Sequence, residues 1–313
     1  MPALDLHLSA TSERSLADDV LDGLTRPFKE LPPKHFYDTR GSELFDAICA
    51  QPEYYPTRTE LAILEARAGE LMDGVDELVE LGSGATTKAR LLLAGSDARR
   101  YVPVDVSESV VRAAGDELAD LGVDVHGVVG DVERHLDRLP AAVGRRAVAF
   151  LGGTIGNFPP GSRRRFLRTV GQLLAPGDRL LLGTDLVKDP AIIEAAYNDA
   201  AGVTASFNRN VLAVVNRELD GDFDLDAFEH VAFFDRSREW VEMRLRALTP
   251  QRVRIAALDL TVDFGDREEL RTEISAKFTR ERVAADLAAA GLRLQTLVTD
   301  PRDWFAVSVA TPA

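Results

Sequence analysis

The stretch "ELVELGSG" (residues 77–84) decides the fold. Its apolar positions make a short strand that runs straight into glycine, and "TTKARLLLAG" (86–95) then has the character of a helix. Glycines between a strand and a helix let the backbone approach a ligand and leave the helix N-terminus to attract negative charge. An ordinary tight turn would look the same. A dinucleotide fingerprint would need a third glycine, and Thr87 stands in its place.

Outward from this loop, strand and helix alternate. Upstream, "TRTELAILEARAGELMDG" (57–74) is an amphipathic helix ending at Gly74. Downstream come the strands "RYVPVDVS" (100–107), "VDVHGVVGD" (123–131), "RAVAFLGGTIGNF" (146–158) and "DRLLLGTDLV" (178–187). Helices are expected between them at "ESVVRAAGDELADLG" (108–122), "VERHLDRLP" (132–140) and "GSRRRFLRTVGQLLAPG" (161–177). The strands are nearly continuous apolar runs, as in a parallel sheet covered on both faces.

After residue 187 the alternation stops. A helical stretch, 190–219, leads into the strand-like runs "DAFEHVAFFD", "EWVEMRLRAL", "QRVRIAALDLTVDF" and "EELRTEISAKF", which suggest an antiparallel sheet. A helix (279–292) and two strands (293–300, 305–311) close the chain. The expected fold is α/β, a doubly wound Rossmann-like sheet with a second α+β domain. Residues 59–187 plus 278–313 would form the first domain. Residues 1–58, broken by "LPPKHFYD" and "QPEYYPTR", plus 188–277 would form the second.

The 313 residues carry a net charge of −14, which disfavours nucleic-acid binding. No run approaches the ~20 apolar residues of a membrane span. The first twenty residues lack the basic start and apolar core of a secretory signal. One cysteine, Cys49, excludes an intramolecular disulfide and a Cys-based metal cage. A cytoplasmic protein is expected.

Two acids strengthen the loop. Asp105 ends the next strand, where a carboxylate can accept both ribose hydroxyls. Asp131, in "GDVE", ends the strand after that, where it can accept the exocyclic amine of adenine. Gly82, Asp105 and Asp131 on three successive strand ends make the S-adenosylmethionine (SAM) pattern of class I methyltransferases. Asn157, in the glycine-rich end of the fourth strand, offers a donor and an acceptor beside these loops. In "RTEISAKF" (271–278), Glu273, Ser275 and Lys277 alternate with Ile274, Ala276 and Phe278, the period of a half-buried strand. Its polar face could meet water or line a site.

"LPPKHFYD", "PEYYPTRTE", "LVELGSG", "LGGTIGN", "LLLGTDLVKD", "AGVTASFNRNVLAVVNREL", "DFDLDAFEHVA" and "EISAKF" together resemble the histidine Nα-methyltransferases of ergothioneine biosynthesis. The resemblance covers nearly the whole chain, the insertion included. It implies a SAM-dependent enzyme that trimethylates the α-amino group of L-histidine to hercynine. It makes the first domain SAM-binding and the second substrate-binding. It puts cofactor contacts at Gly82, Lys88, Asp105, Asp131 and Val132, with Lys88 on the methionine carboxylate. Histidine contacts fall on Tyr54, Gly152, Asn157, Tyr197, Glu273, Ile274 and Ser275; Met243 lines the pocket, and Tyr37 lies near the amine. His35, Gly153 and Val132 depart from the commonest family residues. The expected partners are histidine and its partly methylated forms, acting on a monomer with no metal, nucleic acid or membrane.

Methyl transfer to an amine is an in-line displacement that depends on placing the nitrogen lone pair. Asn157 and Tyr197 are expected to hold the carboxylate, and Tyr37 to face the amine. A phenol near its ordinary pKa of ~10 is a poor base at neutral pH, so no residue is assigned that task. Glu273 and Ser275, about 7 Å apart on one strand face, can reach both imidazole nitrogens. Three rivals remain at this level: a methyltransferase for another aromatic amino acid, a silent SAM-binding protein, and a nicotinamide-dependent oxidoreductase.

Overall fold

The computed structural model describes residues 3–6 and 15–313. Contacts divide them into two compact units. One comprises β1 (Ala3–Leu6), Pro56–Val187 and Lys277–Ala313; the other, residues 15–55 and Lys188–Ala276. Elements are numbered along the chain.

The first unit is built on an eight-stranded sheet. Its strands are β1, β3 (Glu77–Leu81), β4 (Arg100–Asp105), β5 (Asp124–Val129), β6 (Arg146–Phe150), β7 (Arg179–Asp185), β13 (Leu292–Thr299) and β14 (Phe305–Pro312), in the order β1-β5-β4-β3-β6-β7-β14-β13. All pairings are parallel except those of β14 with β7 and β13. β3 and β6 are buried at every position, as strands covered on both faces must be. The unit's helices are α3 (Tyr55–Leu71), α4 (Thr87–Ala94), α5 (Glu108–Glu117), α6 (Pro160–Leu173) and α9 (Arg280–Ala288). Leu64, Met72, Leu78, Leu92, Tyr101 and Phe305 belong to one core cluster. The strand order reverses at β3, so ligand-binding loops are expected beyond its carboxyl end.

The second unit holds a four-stranded sheet, order β2-β12-β9-β8: β2 (Lys29–Glu30), β8 (Phe228–Asp235), β9 (Trp240–Ala247) and β12 (Glu269–Ala276). β2 runs parallel to β12; the other pairs are antiparallel. Helix α8 (Val203–Leu219) packs on β8 and β9 and buries Phe207, Val211, Leu212 and Val215. The remaining elements are α1 (Leu16–Leu24), α2 (Thr39–Cys49), α7 (Pro190–Ala196) and the hairpin β10 (Gln251–Ile255)–β11 (Leu260–Phe264). Among the described residues no helix is long and apolar enough to cross a membrane.

Three local expectations are corrected. Residues 3–6 join the large sheet as the parallel neighbour of β5, held across the pair by Asp5 and His126 at 2.8 Å, not the second unit. Four residues are too short a run to show their period. "VERHLDRLP" forms only a single turn at Leu136–Arg138, because Asp131 and Arg134 fold back locally instead of starting a helix. "QRVRIAALDLTVDF" is two strands reversing at Ala256–Leu258, where Asp259 takes φ 47°.

A candidate nucleoside site and a candidate imidazole site

In the first unit, the loops after β3, β4 and β5 lie side by side because their strands do. Gly82 (φ 68°) and Gly84 (φ 48°) take left-handed backbone that side chains rarely adopt, and a Cβ added at either would meet nothing within 4 Å. The loop is tied to its neighbour by Gly82 N–H to Val104 C=O, 2.8 Å, and the next loop by Gly130 N–H to Asp105 C=O, 2.9 Å. Asp105 accepts from the N–H groups of Ser107 (2.9 Å) and Gly84 (3.3 Å). Asp131 accepts from Glu133 N–H at 2.7 Å. A carboxylate has about four acceptor positions, so each retains capacity for hydroxyls or an amine. Val132 follows, half-buried. The buried Ser83 hydroxyl has no hydrogen-bond partner. Open backbone, two oriented carboxylates and an unsatisfied hydroxyl fit the adenosyl portion of SAM.

Sequence reasoning missed what holds Lys88. Its ammonium lies 2.7 Å from Glu60, a fully buried carboxylate of α3. Both Glu60 oxygens also accept the Gly152 N–H, at 2.8 and 2.9 Å. Gly152 has φ 77°, and a Cβ there would sit 3.1 Å from Lys88 Nζ. Glu60 therefore fixes both a cofactor candidate and a substrate candidate of this unit. A glutamate inside the apolar pattern of "TELAILEA" was the available signal. Asn157 closes the single turn Thr154–Asn157 that follows β6, half-buried. Glu80, 2% exposed, accepts the Tyr101 hydroxyl at 2.6 Å. Burial above all pushes its pKa up to about 7, with Glu60 and Asp105 adding to the rise.

In the second unit, Tyr197 caps α7 and is 8% exposed; its hydroxyl donates to Ser275 Oγ at 2.7 Å. Tyr37 packs edge-on against Phe45 and Phe207, both at 5.7 Å, and Phe45 meets Tyr54 at 6.1 Å. Burial, and after it the charge of Glu273, raises the Tyr37 phenol above its ordinary pKa. The Tyr37 side chain nonetheless keeps 51% of its surface accessible, so it is crowded by protein without being sealed. Burial also raises Tyr54, with Tyr197, Cys49, Tyr37 and Glu273 contributing. Tyr37, Tyr54, Tyr197, Glu273 and Ser275 thus share one neighbourhood.

A β-bulge sets that arrangement. Arg271 pairs with Arg244 and Glu273 with Met243, leaving Thr272 as the extra residue. Two consecutive residues then face one way. Thr272, Glu273 and Ser275 share the face of Met243, toward α8. Ile274 pairs with Glu242 on the opposite face, so only its backbone belongs with Glu273 and Ser275. That opposite face carries an ion-pair ladder in which Arg244 joins Glu242 to Glu269. Lys277, beyond the strand and already part of the first unit, is fully buried and paired within that unit with Asp185 at 2.7 Å.

A family model described as histidine-specific methyltransferase, SAM-dependent, matches residues 16–312. A histidine N-alpha-methyltransferase of Mycolicibacterium smegmatis is 55% identical over 97% of both chains. One of Mycobacterium tuberculosis is 52% identical over 95% of this chain and 94% of its own. Among solved structures, the PH0226 protein of Pyrococcus horikoshii aligns over 88% of this chain and 100% of its own with a TM-score of 0.51 at 14% identity, a likeness of fold alone.

Proposed function

The chain belongs to the family of SAM-dependent, histidine-specific methyltransferases, and we propose on that basis that it trimethylates the α-amino nitrogen of L-histidine to hercynine, a step toward ergothioneine. SAM supplies the methyl groups, each as an electrophilic carbon on a positively charged sulfur.

The residues divide by unit. In the first, Asp105 would take the ribose hydroxyls, Asp131 and the Val132 backbone the adenine edge, and the Gly82 backbone the close approach. Lys88, steadied by Glu60, would face the methionine carboxylate as a compact point charge. Gly152 and Asn157 would meet the histidine. In the second unit, Glu273 and Ser275 would take the two ring nitrogens, with Met243 beside them and Tyr54 and the Ile274 backbone completing the contacts. Tyr197 would serve the carboxylate. Its proton is engaged by Ser275, so it reaches a carboxylate only by exchanging that bond. The single observation that supports the imidazole assignment most is the bulge, which aims Glu273 and Ser275 together past Tyr197.

An α-ammonium has no lone pair, so a proton must leave before each of the first two transfers; the third leaves a fixed cation. Tyr37 and Tyr54 both have raised pKa values and keep their protons near neutrality. On this reading the base is assigned to neither of them. Tyr37 instead offers a hydroxyl to the amine and a ring face that favours a methylated ammonium. Mass spectrometry of histidine incubated with enzyme and SAM tests the proposal. A product three CH₂ units heavier is expected, and an unchanged mass would overturn it.

A further inference from the structure

We propose that Asn208 and His230 are positioning residues for histidine recognition, fixing Tyr197 against the strand that carries Glu273 and Ser275. The proposal rests on the assignment of those three residues to the substrate.

Asn208 is fully buried in the middle of α8. Its amide nitrogen lies 3.0 Å from Arg244 C=O and 2.8 Å from His230 Nδ1. Its amide oxygen lies 2.6 Å from the Thr272 hydroxyl. The amide orientation is forced, because a backbone carbonyl only accepts and so must face nitrogen. Thr272 then donates to the amide oxygen. His230 Nδ1 receives an N–H and carries no proton, so the ring proton is on Nε2, which lies 2.9 Å from Tyr197 C=O and donates to it. Burial disfavours the charged ring, lowering its pKa.

Every bond in this series has one direction. It runs from Thr272 on β12 through α8 and β8 to the Tyr197 main chain. Tyr197 returns to β12 through its side chain, by the 2.7 Å bond to Ser275. The ring is closed by the β12 main chain from Thr272 to Ser275, so Glu273 is carried on its closing segment. No member needs to touch substrate for the spacing of Tyr197, Glu273 and Ser275 to depend on it. A site that must present polar groups at fixed distance loses affinity when its supports loosen.

Asn208→Asp is nearly isosteric and tests the relay. A carboxylate cannot donate, so His230 must move its proton to Nδ1 and turn an unprotonated Nε2 toward Tyr197 C=O. The histidine KM is expected to rise at least ten-fold, with binding of S-adenosylhomocysteine within two-fold of the parent. Labelled-histidine NMR should show His230 protonated at Nε2 in the parent and at Nδ1 in the variant. Thr272→Val removes the bond to Asn208 together with the hydroxyl's second contact, to Met243 C=O at 3.0 Å; it should raise the histidine KM several-fold and serves if Asn208→Asp does not fold. A parent His230 protonated at Nδ1, or a histidine KM unchanged in the folded variants, overturns the proposal. Tyr197→Phe separates the two levels. If it leaves the histidine KM unchanged, the substrate assignment fails and the positioning proposal with it. If it raises the KM while the relay variants do not, only the positioning proposal fails.

Discussion

Replacing Glu80 by glutamine should stabilise this protein, and more so at alkaline than at acid pH. Glu80 is the last polar side chain of β3 before Gly82, with 2% exposure and one hydrogen bond, from Tyr101. Burial pushes its pKa from 4.5 up to about 7. The native state therefore holds a proton that the unfolded chain has already released between those values. The sign follows: with fewer protons bound in the unfolded state, stability falls as pH climbs from the unfolded pKa through the folded one, and the full cost is present above it. Integrated between the two values, that cost is about 1 kcal/mol at pH 5 and about 3 kcal/mol at pH 8. Glutamine keeps an oxygen for Tyr101 and removes the charge. Whatever burying its amide costs is the same at both pH values. The gain of Glu80→Gln over the parent should thus be larger at pH 8 than at pH 5 by about 2 kcal/mol. Urea unfolding at both pH values, compared at matched m, measures this. A gain equal at the two pH values, or a loss that deepens at pH 8, refutes the raised pKa of the Glu80 carboxyl.

Three further outcomes are expected. Glu273→Ala should weaken histidine binding by at least ~2 kcal/mol through loss of a buried hydrogen bond to the ring; calorimetry should find S-adenosylhomocysteine affinity retained, and native histidine affinity would remove Glu273 from the pocket. Tyr37→Phe should lower the rate without removing any limb of the pH–rate profile, since a phenol with a raised pKa is no base near neutrality; loss of the ascending limb would restore Tyr37 as proton acceptor. Lys277→Met should destabilise by about 3–5 kcal/mol by stranding the Asp185 charge, and adding Asp185→Leu should recover most of the loss; equal stability of the single variant and the parent would show that Asp185 is not buried with a charge.

How far the sequence revealed the fold depended on the range of the interactions involved. The alternation of strand and helix around "ELVELGSG" depends on local period and turn chemistry, and it gave the parallel sheet and its switch point. Gly82, Asp105 and Asp131 could be singled out as candidates because a strand end is a sequence position as well as a place in the sheet. Glu60 was not found, because its partners, Lys88 and the Gly152 N–H, lie 28 and 92 residues away. Asn208 lies in the block "AGVTASFNRNVLAVVNREL", which carries the family resemblance but points to no role for it. Its neighbours Ser206, Arg209 and Asn210 are polar too, so nothing local marks it as buried, and only tertiary structure supplies the His230, Arg244 and Thr272 groups that satisfy it.

"RTEISAKF" shows why strict alternation misleads next to a site. Period two groups Arg271 with Glu273, Ser275 and Lys277 on one face. In the structure Arg271 pairs with Arg244 on the ion-pair face, and the extra residue at Thr272 turns Glu273 and Ser275 toward α8. Lys277 leaves the strand altogether for a buried pair with Asp185. The extra residue rotates Glu273 away from the arginines, beside Thr272, which anchors Asn208 on the same face. Without the bulge, Glu273 would join Glu242 and Glu269 as another acid in a ladder that already balances its arginines, and its carboxylate would have a cation for a partner. With it, the carboxylate faces aromatic rings and a serine, where an imidazole N–H is a far better partner than water-screened arginine. Specificity for histidine in this reading comes less from the identity of Glu273 than from the bulge that takes it off the charged face.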